Sequence, residues 1–128
     1  MAEEIGTPDS PSQADKTTIG MTASMSPKLK RLEEDGQFKT ELDAAKFALA
    51  YAIRQNVGQG RAESPGTKWN RGTLDEDGAL RTLVQTIYPG ETQPYRQIEF
   101  LINEGVRLLV ADENFGPDIL ELIQFSDA

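Results

Sequence analysis

Residues Thr40 to Asn56 read T-E-L-D-A-A-K-F-A-L-A-Y-A-I-R-Q-N, and this stretch decides the fold. Its length predicts a helix of roughly four to five turns at about 1.5 Å per residue. Thr40 stands where an N-cap belongs, and Glu41 and Asp43 suit the positive end of the helix dipole. The body is made of strong helix formers, five of them alanine. At about 100° per residue, Asp43, Lys46 and Arg54 share one narrow arc. Leu42, Ala45, Leu49, Ala52 and Ile53 lie opposite, with Ala44, Ala48 and Tyr51 along one flank. A helix apolar around most of its circumference is a central one, touched from more than one side. Its alanines let neighbouring helices approach closely.

Working outward on the N-terminal side, Ser26-Pro27 opens a shorter helix, serine as N-cap and proline at N1, that runs to about Asp35 and stops at Gly36. It carries Leu29 and Leu32 and the dense basic trio Lys28, Lys30 and Arg31. Phe38, two residues before Thr40, is placed to pack beneath the first turn of the central helix. Before this helix, Ile19, Met21, Ala23 and Met25 alternate with Gly20, Thr22 and Ser24, the period of a half-buried strand. No second strand signal lies nearby, so its expected partner is the same strand of another copy, in a homodimer. Residues 1–18, rich in Pro, Ser, Thr and acid, have too little apolar surface to offset ordering entropy and read as a disordered arm.

On the C-terminal side, Asn56 to Thr73 is a long connection with Gly58, Gly60 and Pro65-Gly66 as breakers. A helix follows from about Asp77 to Ile87, with Leu80, Leu83, Val84 and Ile87 as its buried face. Pro94 opens another, to about Asp112, with Ile98, Leu101, Ile102, Leu108 and Leu109 as core stripe. Gly105 interrupts that stripe, at about 1 kcal/mol relative to alanine, and close approach of another helix is the simplest reason for it. Asp118 to Phe125 reads as a short closing helix, with a strand as the alternative because it is rich in isoleucine and leucine. The expected architecture is all-α, a compact bundle of about five helices in one domain over residues 19–128, with one short N-terminal strand.

Composition narrows the chemistry. The chain has 128 residues, a net charge of −8, 38% hydrophobic and 27% charged residues, and neither cysteine nor histidine. That excludes disulfides, thiolate nucleophiles, zinc–cysteine sites and the commonest general base within this chain. The acidic clusters Glu33-Glu34-Asp35, Asp75-Glu76-Asp77 and Asp112-Glu113 sit at helix ends, and sequence neighbours do not converge on one point. The second lacks calcium-loop spacing. Gly58-Gln59-Gly60-Arg61 follows a helix, whereas phosphate loops follow a strand. No enzyme, metal or cofactor is expected. No apolar run approaches the roughly 18 residues of a spanning helix, and the acidic start is unlike a signal peptide, so a cytoplasmic protein is the simplest reading.

Two resemblances add a functional setting. Strand, basic helix, glycine turn and long helix over residues 19–55 resemble a ribbon-helix-helix unit, with Gly36, Phe38 and Thr40 in the turn. That likeness implies DNA contact through Thr22, Ser24, Lys28, Lys30 and Arg31, with a phosphate at the helix N-terminus near Thr40. Over residues 28–125 the run L-K-R-L-E-E-D-G-Q-F-K-T-E-L-D-A-A-K-F-A-L-A-Y-A-I and the loop G-x-G-R-A-E-S-P resemble small accessory proteins of bacterial DNA phosphorothioation gene clusters. This second likeness implies an accessory role in DNA modification and phage defence. The rival expectation is an acidic protein–protein adaptor that touches no nucleic acid. A further one is a small-molecule sensor at the cationic and aromatic group Arg61, Lys68, Trp69 and Arg71.

Overall fold

The computed structural model describes residues 14–111. The expected closing helix at 118–125 and most of the N-terminal arm lie outside them. In chain order the elements are β1 (Thr18–Ile19), α1 (Ser26–Asp35), α2 (Glu41–Arg54), β2 (Trp69–Asn70), α3 (Arg71–Leu74), α4 (Ala79–Ile87) and α5 (Pro94–Ala111). The described residues are mostly helical, as read, with one two-stranded sheet among them.

Thr40 caps α2, its hydroxyl accepting the Asp43 N–H at 3.1 Å. Ala44, Ala45, Ala48, Leu49 and Ala52 are buried, while Asp43, Lys46 and Arg54 are exposed. The broadest helix contact of the fold is between α2 and α5, and α1 packs on both. Where α2 and α5 meet, Gly105 lies against the Ala48 backbone so closely that a methyl group there would land on the Ala48 carbonyl oxygen. The interruption in the apolar stripe is thus the point of closest approach. Tyr95, Ile98, Leu101, Ile102, Val106 and Leu109 complete the α5 side of the core; Leu108 is only half-buried. Phe38 packs on Phe47 at a ring separation of 5.5 Å.

Several expectations are corrected. Helix α1 is capped by Met25 rather than Ser26; Met25 and Ser26 donate to the Thr22 carbonyl at 3.0 and 2.9 Å. Helix α4 starts at Ala79, after Gly78 at a φ of +76°. Leu83 and Ile87 are 42% and 40% exposed, because α4 is short and meets chiefly α5, along the Val84 line. The four-residue α3 has no apolar periodicity to announce it.

The largest correction concerns the strand. Its partner is internal: β1 pairs antiparallel with β2, Ile19 opposite Trp69 and Thr18 opposite Asn70. Arg71, Lys68 and Gly66 donate main-chain N–H groups to Thr17, Ile19 and Met21 at 2.9 Å each. The edge that a second copy was expected to occupy is filled by residues 66–71. Gly20 lies under the Gly66 carbonyl, where any side chain would collide. Ile19 and Met21 are buried as the alternation requires, but Ala23 is exposed in the turn before α1. Residues 15–18, read as part of a free arm, are tied into the fold.

Candidate functional site

Helix α5 carries an unusual number of buried polar side chains, and each holds an irregular segment in place. Asp15 accepts the Tyr95 and Arg96 N–H groups at 2.8 and 3.2 Å, capping the helix from outside it. One turn on, Glu99 accepts from Lys16 Nζ at 2.6 Å and from the Gly20 N–H at 2.9 Å. A further turn on, Asn103 donates to the Gly20 carbonyl at 3.2 Å and accepts the Thr22 N–H at 3.0 Å. An extended strap, residues 15–22, is therefore read by side chains at i, i+4 spacing.

The other flank works similarly. Gln97 donates to the Gly58 carbonyl at 3.1 Å and accepts the Gly60 N–H at 3.0 Å. Glu91 takes a forked pair of bonds from Arg61 at 2.9 and 3.3 Å, plus the Gln93 N–H and the Gln59 amide. Burial alone would raise the Glu91 carboxyl, but those donors outweigh it and the group titrates below the ordinary carboxylate value. Asp75 accepts the Leu80 and Arg81 N–H groups and the Tyr95 hydroxyl at 2.8, 3.0 and 2.9 Å. Burial, and then that bond to Asp75, push the Tyr95 hydroxyl up. Among the described residues no group of three or more acids is disposed to hold a metal. No helix among them is long and apolar enough to cross a membrane.

A groove of about 360 Å³ opens between the turn before α1, the loop after α2 and the solvent side of α5. Thr22, Ser24 and Met25 form one wall, Arg61, Ala62 and Glu63 another, and Phe100, Asn103, Glu104 and Arg107 the floor. The Thr22 and Ser24 hydroxyls are 3.4 Å apart. Arg107 donates to Glu104 at 2.7 Å, leaving its side chain 51% exposed; the Arg61 side chain is 44% exposed. The groove joins residues expected in two different sites, Thr22 and Ser24 with Arg61. It adds Phe100, Asn103 and Arg107, which in sequence are merely the non-core positions of an amphipathic helix.

The remaining candidates are dispersed. Lys28, Lys30 and Arg31 are exposed on α1, which begins at the groove wall. Lys30 lies 3.4 Å from Glu33, and Arg31 donates to Asp35 at 3.3 Å. The Thr40 hydroxyl is occupied by its own cap. Arg61, Lys68, Trp69 and Arg71 do not form one site. Lys68 pairs with Glu41 at 2.9 Å, its ammonium 6.0 Å from the Trp69 ring centre. Arg71 stacks on Tyr95 at 5.1 Å, and Arg61 faces Glu91.

Charge is distributed in a way that the total conceals. All thirteen lysines and arginines and thirteen of the twenty-one acids fall within residues 14–111. The eight uncompensated acids belong to residues 1–13 and 112–128. The described body is balanced, not acidic.

No family model, curated protein or solved structure matches this chain.

Proposed function

We propose that this chain is a non-catalytic accessory protein of a bacterial DNA-modification or defence system, and that it contacts DNA. The carrying observation is that Thr22, Ser24 and Arg61 share a groove with Arg107, next to the first turn of α1 and its exposed Lys28, Lys30 and Arg31. A charge-balanced body removes the objection that a net charge of −8 raises against a phosphate backbone. The buried carboxylates Asp75, Glu91 and Glu99 all hold main chain or cations of their own fold, which supports contact rather than chemistry. The likeness to phosphorothioation accessory proteins supplies the setting, a cytoplasmic one. Retention on duplex DNA should fall steeply with salt, and Lys28→Glu/Lys30→Glu/Arg31→Glu should abolish it. Retention unchanged by that triple substitution would sink the reading.

A second reading is favoured by one observation: the surplus acid is concentrated in the two terminal segments. On this reading a basic protein partner is drawn to those segments, deleting them abolishes its binding, and the parent chain is not retained on duplex DNA. A homodimer would use a surface other than the β1 edge that residues 66–71 fill. The exposed pair Leu83 and Ile87 is an apolar one, and the solution mass of Leu83→Asp against the parent chain tests it.

A further inference from the structure

We propose that the groove between the Thr22–Met25 turn and α5 binds one unpaired nucleotide, its base against Phe100 and its phosphate between Arg61 and Arg107. The inference rests on the nucleic-acid reading above and names what the groove itself would take.

Two guanidinium groups reach the groove from separate elements, and each is held by a carboxylate, Arg61 by Glu91 and Arg107 by Glu104. A guanidinium has about five N–H donors. Arg61 spends its Nη donors on Glu91 and the Gly60 carbonyl, and Arg107 spends Nε and Nη2 on Glu104. Each keeps donors for an incoming oxyanion while its position is already set, which lowers the ordering cost of binding.

An anion alone does not fit the rest of the lining. Glu63 and Glu104 face the same space and would repel a bare phosphate. Glu104 is already paired with Arg107, and a ligand that carries N–H groups as well as a phosphate meets both signs of charge, since base amino groups donate well to carboxylates. Phe100 lines the same groove, with the loop packed against one part of its ring at Gly60, where no side chain fits. An aromatic surface suits a planar base of any sequence. At about 360 Å³ the groove is at the small end of ligand sites, which span about 300–1,000 Å³. It has room for one nucleotide. A base still paired within a duplex cannot present its face to a side chain, so the nucleotide must be unpaired.

The test uses the full chain, a dye-labelled single-stranded pentanucleotide read by anisotropy at low salt, and a duplex read in parallel. Arg107→Ala is the main variant, since its partner Glu104 is on the same helix and the side chain is half-exposed; Phe100→Leu is the second. Each should weaken pentanucleotide binding about tenfold; the duplex is read in the parent chain and in Lys28→Glu/Lys30→Glu/Arg31→Glu, whose side chains lie outside the groove lining. Free deoxynucleoside monophosphates that compete as well as the strand make the site one for small nucleotides; weak competition makes it one for a strand. Pyrophosphate competing as well as a nucleotide overturns the proposal, because no base is then read. Unaltered pentanucleotide binding in Arg107→Ala overturns it too, and leaves the broader function standing where the parent chain holds duplex DNA and Lys28→Glu/Lys30→Glu/Arg31→Glu releases it. Loss of all DNA retention in the parent chain overturns both.

Discussion

Replacing Gly105 by alanine sets two effects of opposite sign against each other. In an isolated helix the change stabilises by about 1 kcal/mol, because glycine is the poorer helix former. Here the new methyl would sit on the Ala48 carbonyl oxygen of α2, and α2 cannot yield as a side-chain tip does. To restore ordinary contact the two helices must separate by on the order of an ångström, at the fold's broadest helix contact, where Ala44, Ala45, Ala48, Leu101, Ile102 and Val106 are all close to fully buried. Overpacking of this kind costs about 1–3 kcal/mol, and a backbone obstacle places it at the upper end. The net expectation is a loss of about 2 kcal/mol, a large share of a small domain's stability. Urea unfolding followed by far-ultraviolet circular dichroism should show the midpoint falling by about 1–2 M. Gly58→Ala is the matched control, since nothing lies within 4 Å of a methyl there, and its midpoint should hold or rise. A Gly105→Ala protein as stable as the parent would refute the close-crossing argument.

Other expectations follow from the polar clamps. Glu99→Ala strands the Lys16 ammonium and the Gly20 N–H, and should cost about 3–5 kcal/mol; faster amide exchange over residues 15–22 would accompany it. Glu91 titrates below its ordinary value, so its contribution is present above the unfolded-state pKa and is lost as pH falls through the lower folded-state one. Glu91→Gln should therefore flatten the acid limb of the stability–pH curve; a limb of the same slope would contradict the assignment. Thr40→Ala removes the α2 cap and should cost about 1 kcal/mol, whereas Thr40→Ser should cost little.

The helices were legible because their signals are local. Thr40 announced the start of α2, Gly36 the end of α1 and Pro94 the start of α5, each through chemistry confined to one turn. Gly105 was legible too, since a glycine in an apolar stripe has few other uses. The strap was not. Asp15, Lys16 and Gly20 find their partners about eighty residues away, on α5, and no periodicity encodes a hydrogen bond across that distance. Charge misled for a related reason: a sum over the chain does not record which segments fold together.

Alanine spacing, caps and breakers therefore settled by themselves that α2 is a helix whose alanine-lined side packs on more than one neighbour. Those features act through backbone geometry within a few residues. The tertiary structure decided that β1 is paired within the chain, that Leu83 and Ile87 stay exposed, and that Thr22, Ser24, Arg61, Phe100 and Arg107 meet in one groove. Each of those outcomes depends on which distant surfaces pack together, and only the packed chain specifies that.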